Sequence, residues 1–152
     1  MAKRKSMSKD NCPVARSLDV VGDRWSMMIV RDAFDGISRF GEFQRNLGVA
    51  RNILADRLKH LVEQGILAAR PASDGTAYPE YVLTNKGQQL FPIVVGLRQW
   101  AEKHLFSPGE PRSSLIERED GSAVDVLQVR SHDGRILHPD ETIVKKVAAE
   151  GH

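Results

Sequence analysis

Apolar residues recur at helical spacing through most of the first hundred positions. Val14, Leu18 and Val21 fall at i, i+4 and i+7 behind Cys12-Pro13, and proline suits a first helical position, so a helix is predicted there, stopped by Gly22. A second is predicted from Trp25 to Phe34, with Trp25, Met28, Ile29 and Ala33 on one face and Asp35-Gly36 as its turn. Phe40, Phe43 and Leu47 predict a third helix over Arg39 to Leu47. After a break at Gly48, Leu54, Leu58, Leu61 and Val62 predict a fourth over Arg51 to Gln64.

Beyond Gly65 the period changes. Ile66 to Arg70 and Tyr78 to Leu83 read as two short strands joined by a Ser73-Asp74-Gly75 turn. A long helix from Asn85 to Leu105 follows, with apolar positions at Leu90, Val94, Leu97 and Ala101 and further ones at Phe91, Ile93, Val95 and Trp100. That surface is wider than one core-facing stripe needs. Pro92 bends this helix unless it lies in the first turns. Past Pro108 the composition shifts to a linker, and Ser114 to Arg118, Val124 to Arg130 and Arg135 to His138 read as further short strands.

Two short amphipathic helices joined by a tight glycine turn are the helix-turn-helix signature, and a hairpin directly after the second makes it winged. The fold class expected is therefore mainly α with a small β-hairpin wing: a winged helix-turn-helix domain with a short C-terminal β-rich extension. Residues 1–11 are expected to form a flexible basic tail, 12–106 the winged helix-turn-helix domain, and 107–152 the extension.

Charge sharpens this division. Residues 1–104 hold 16 Lys/Arg against 11 Asp/Glu, a net of +5, whereas 105–152 hold 6 against 9, a net of −3. The basic part suits phosphate, and the acidic part suits solvent or a partner protein. Lys3, Arg4, Lys5 and Lys9 precede no apolar run, so no signal peptide or membrane anchor is expected, and Cys12, the single cysteine, fits a reducing cytoplasm. No GxSxG, HExxH, CxxC or phosphate-cradling glycine loop occurs, and the five histidines are scattered; no enzyme activity, metal or cofactor is expected.

Base edges in the major groove are read by donors such as Arg and Asn, and phosphates are held by Lys and Arg. Arg51, Asn52, Ala55, Arg57, Lys59 and His60 give the second helix of the motif such an outer face. Arg51, Asn52 and Ala55 sit at the end that enters the groove, while Arg57 and Lys59 are placed for the backbone. An ordinary solvated helix face is the competing reading. Ala50, Arg39 and Arg70 complete the candidate DNA-contacting set.

With Cys12-Pro13-Val14, Leu18 to Trp25, Ile29-Val30-Arg31, Arg39 to Phe43 and Leu54 to Leu58 in this order, the chain closely resembles the HxlR-type winged-helix regulators. The match continues through Gly65-Ile66-Leu67, Tyr81 to Thr84, Gly87, Leu90, Pro92 and Trp100, about residues 12 to 105. The resemblance implies a bacterial, mostly repressor-like factor that dimerises through its first and last helices and binds an inverted repeat in double-stranded DNA. Val14, Leu18, Leu90, Val94, Leu97 and Trp100 are then the dimerisation candidates. Two departures stand out: Ala50 replaces the serine that often opens the recognition helix, and the wing has Arg70 as its only basic residue. The Cys-Pro match makes Cys12 a candidate redox sensor, against the plainer reading of a half-buried packing residue, and a small-molecule effector remains open. A protein-interaction winged helix without DNA binding is the alternative from another class.

Overall fold

The structure is a computed structural model that describes residues 5–148, so Lys3, Arg4 and His152 lie outside the described residues. The helical spacing resolves into α1 (Pro13–Val21), α2 (Arg24–Phe34), α3 (Phe40–Leu47) and α4 (Arg51–Glu63). A hairpin of β1 (Leu67–Arg70) and β2 (Glu80–Leu83) follows, then α5 (Asn85–Gln88) and α6 (Phe91–His104). The chain divides into two compact units, Met1–Val94 and Val95–His152.

In the first unit, Ile29 and Val30 of α2, Phe43 of α3 and Leu54, Leu58 and Leu61 of α4 form a core with almost no solvent contact. Met27, not Met28, joins the packing of α2 against it. Asp23 opens α2 by accepting the Ser26 N–H at 2.9 Å. Gly48, at φ +64°, closes α3 in the left-handed region, so that α4 starts at Arg51 after only Val49 and Ala50. The hairpin is antiparallel with Leu67 opposite Leu83 and Arg70 opposite Glu80. Its outer edge gains one more bridge, Arg39 to Glu80, where the Tyr81 N–H donates to the Ser38 carbonyl at 2.8 Å.

The single long helix expected over Asn85 to Leu105 is instead two. Thr84 caps the four-residue α5 by accepting the Gly87 N–H, and Gly87 packs so closely on the hairpin that a Cβ there would lie 2.2 Å from the Ile66 carbonyl oxygen. Leu90 then leads into α6, where Pro92 sits in the first turn and its missing N–H costs nothing.

In the second unit, the strands expected at 114–118, 124–130 and 135–138 shrink to two isolated bridges, Ile116 to Ala123 and Arg130 to Ile136, and a short 3-10 turn at Pro139–Glu141. The reason lies in α6. Gln99 donates to the Asp125 carbonyl at 2.9 Å and accepts the Leu127 N–H at 2.7 Å, so a side chain takes the backbone groups a strand ladder would use. Arg98 holds the Ser113 carbonyl at 3.1 Å in the same manner.

Candidate nucleic-acid interface

The buried stripe of α4 fixes which of its residues face outward. With Leu54, Leu58 and Leu61 turned in, Arg51, Asn52 and Ala55 are exposed in the first turns and Lys59 one turn further. Ala50 starts the helix with no side-chain capping bond, so the orphan N–H groups of the first turn carry no side-chain cap from it. The Arg51 guanidinium lies 5.1 Å from the centroid of the Phe40 ring, a cation–π contact that braces it against α3. Among the described residues Lys59 reaches only Glu63, at 4.0 Å across solvent, a contact weak enough to leave its ammonium available to a phosphate.

Two members of the expected basic face are turned inward. His60 donates from Nε2 to the Val20 carbonyl at 2.9 Å, joining α4 to the end of α1, and is therefore not part of the outer face. Arg57 places Nε 3.2 Å from Asp23 and Nη1 3.3 Å from Asp56, linking α4 to the cap of α2. Burial pushes the Asp23 carboxyl up, but the hydrogen bonds from Ser26 and the charge of Arg57 outweigh it and hold the group below its ordinary value.

The wing is tied to α3 through Arg39. Its guanidinium contacts Asp74 at 2.6 Å, Thr76 Oγ1 at 2.9 Å and Glu80 at 3.4 Å. Glu80, nearly buried, also accepts the Ser73 N–H and hydroxyl and lies 3.6 Å from Arg70. The wing is thus short of cations for phosphate yet firmly positioned. Beside it, a hollow of about 720 Å³ is lined by Arg39, Arg45, Arg51, Phe40, Tyr78 and Asp74 among others. Arg45 of α3 and the 76% exposed Tyr78, two residues before β2, were not singled out from sequence as contact residues; periodicity marks them as outer positions of a helix and a strand but does not show that folding brings them to one hollow.

The latch has a pH signature. Hydrogen bonds from Arg39 and from the Thr76 backbone hold the Asp74 carboxyl at about 2, below its usual 3.8. A depressed pKa means the contribution is complete above 3.8 and is lost as pH falls toward 2. Amide protection factors across residues 71–79 should therefore drop over that interval in the native chain. In Asp74→Asn they should be low already at neutral pH, and equal protection in both proteins would show that Arg39 does not hold the wing.

The dimerisation candidates separate. Leu90 and Val94 pack against the core of the first unit, while Val14, Leu18, Leu97 and Trp100 are more than half exposed. Cys12 is exposed at the N-cap of α1, not half-buried, and its N–H donates to Asp10 Oδ1 at 2.8 Å. Among the described residues no group of His, Cys, Asp and Glu could hold a metal ion, and no helix is long and apolar enough to cross a membrane.

This arrangement recurs in known proteins. Residues 20–108 match the model of the HxlR-like helix-turn-helix family. An uncharacterized HTH-type transcriptional regulator of Mycobacterium tuberculosis is 40% identical over 121 residues, 80% of this chain and 77% of that one. The crystal structure of PA1607 is 52% identical with a TM-score of 0.89, covering 94% of this chain and all of that one. The redox regulator HypR in its reduced form is 32% identical with a TM-score of 0.57, covering 62% of this chain and 94% of its own. The winged helix, the outward arginine and asparagine of α4 and these matches agree: the chain belongs to the HxlR-like helix-turn-helix family, whose members are transcription regulators and not enzymes.

Proposed function

We propose that this regulator is a cytoplasmic homodimer that reads an inverted-repeat operator and acts in a repressor-like way. The observation that carries the reading is α4 itself: its first turns present Arg51, Asn52 and Ala55 to solvent while its opposite face is locked into the core. In a two-fold dimer, two such helices enter successive major grooves about one turn of DNA, roughly 34–36 Å, apart. Ala50 opens that helix, Arg39 lines the same hollow as Arg51, Arg70 of the wing adds a cation beside Glu80, and Arg57 keeps α4 in place through Asp23. Val14 and Leu18 of α1, with Leu97 and Trp100 of α6, supply exposed apolar side chains for a dimer contact.

Retardation of DNA from the chain's own upstream region, measured over a salt series, tests this. Binding should weaken steeply as salt rises, and a chain that retards no DNA but captures a protein would be an interaction module instead. Lys59→Ala should reduce affinity for every sequence alike and flatten the slope of log affinity against log salt by roughly one unit. An unchanged slope would return Lys59 to the solvated surface.

A second reading is favoured by the exposure of Cys12 together with the name of HypR, a redox regulator. In it, oxidation of Cys12 to a mixed disulfide, an inter-subunit bridge or a sulfenic acid changes DNA affinity. Mild peroxide should shift the affinity of the native chain and leave Cys12→Ser unaffected; equal responses would dismiss the sensor.

A further inference from the structure

Where α2 ends, a hollow of about 660 Å³ lies between the turn that follows it, the hairpin and the start of α6. That volume falls among those of small-molecule sites, roughly 300–1,000 Å³. Its walls are apolar at Ala33, Phe34, Ile37, Val82 and Phe91, and the Phe34 and Phe91 rings stand 5.3 Å apart at a tilt of 54°. Phe91 is 43% exposed, so the pair has a face left for a third ring.

One charged side chain lines the same hollow, Arg70. Tyr81 and Leu83 pack toward the core, so strand alternation turns Val82 and the cross-strand pair of Arg70 and Glu80 to the other face of the hairpin. Glu80 does not hold Arg70. That carboxylate accepts the Ser73 N–H and hydroxyl at 3.2 and 2.9 Å and meets Arg39 at 3.4 Å, which leaves Arg70 at 3.6 Å with its side chain 58% exposed. Ser38 and Gln88 add a hydroxyl and a carboxamide able to donate. Aromatic walls with a single available guanidinium select a planar apolar body that carries one carboxylate, the group a guanidinium grips bidentately.

The hollow adjoins the parts that position the wing. The Ser38 carbonyl accepts the Tyr81 N–H at 2.8 Å, and Ser38 directly precedes Arg39, which latches the wing through Asp74. Arg70 is the wing's only basic residue. We infer that this hollow is an effector site for a small aromatic carboxylate, held by Arg70 and the Phe34 and Phe91 rings, and that the bound acid takes Arg70 away from DNA. The inference rests on the DNA-binding regulator proposed above. Acid and DNA then compete for one guanidinium, and each weakens the other by the same factor.

Benzoate, phenylacetate and indole-3-acetate titrated into the full chain without DNA test the site by itself. At least one should bind with a dissociation constant of about 1 mM or below. It should shift the amide resonances of residues 36–38 and 82–83. Benzyl alcohol, an aromatic ring without the charge, should bind at least about tenfold more weakly. Arg70→Gln should lose that preference and Arg70→Lys should keep part of it. With DNA present, the acid should lower operator affinity about tenfold, and DNA should lower the affinity for the acid equally. The slope of log affinity against log salt should fall by roughly one unit when the acid is bound. Arg70→Gln should bind DNA more weakly from the start and not respond to the acid. No binding by any of the three acids, equal binding of the alcohol, or shifts centred on Arg45 and Arg51 would overturn the site. Binding that leaves DNA affinity unchanged would overturn the effector. A chain that retards no DNA would end the regulator reading, while the titrations without DNA would still decide the hollow.

Discussion

Phe43→Ala is expected to lower stability by about 3–5 kcal/mol, near the top of the range for emptying a well-packed aromatic site. Phe43 is the one fully buried residue of α3 and has no exposed surface. It lies in the same cluster as Leu54 and Leu58, the residues that set the rotation of α4. The site has little room to collapse, since Ile29, Val30 and Leu61 around it are equally enclosed. DNA affinity should fall with stability although no contacting residue changes, because the outward set on α4 is defined by what its inner face grips. Urea unfolding should show the midpoint moving with an unchanged slope. A loss below about 1 kcal/mol would mean that neighbouring side chains fill the space and that α4 does not depend on it.

The helices of the first unit were legible because each buries one stripe, and a stripe at 3.6-residue spacing is written directly into the order of residues. Val14, Leu18 and Val21 gave the range of α1, although only Val21 is buried. The same logic misled at α6. A broad apolar face spanning Asn85 to Leu105 looked continuous, but the break after Gln88 depends on how closely Gly87 approaches Ile66, a contact between residues 21 apart. The wing latch was hidden for a similar reason. Arg39 reads as a candidate DNA contact at the start of α3, and only folding brings Asp74 and Glu80 of the hairpin to it. His60 and Arg57 lie on the polar side of α4 in any helical projection, and only the positions of Val20 and Asp23 reveal that they tie helices together. The extension was the least legible, because a glutamine side chain replaces the strand ladder that its alternating residues suggested.

Those internal ties narrow the base-reading set to the first turns of α4, and the largest expected effect on recognition follows. Arg51→Ala and Asn52→Ala should each cost about 1–3 kcal/mol of specific binding, the usual range for a bidentate contact with a base edge. Both are exposed, and neither forms an ion pair among the described residues. Arg51 has in addition the ring of Phe40 beneath it, which restricts its rotamers and lowers the entropy lost on binding. Its truncation should therefore be the larger of the two losses. Affinity for random DNA should change much less, because base contacts specify while phosphate contacts position. The measurement is a pair of titrations at one salt concentration, with operator and with scrambled duplex, for the native chain and each variant. Equal losses on both duplexes would make Arg51 and Asn52 phosphate clamps, and sequence would then have to be read elsewhere, with Arg45 and Tyr78 in the adjoining hollow the next residues to replace.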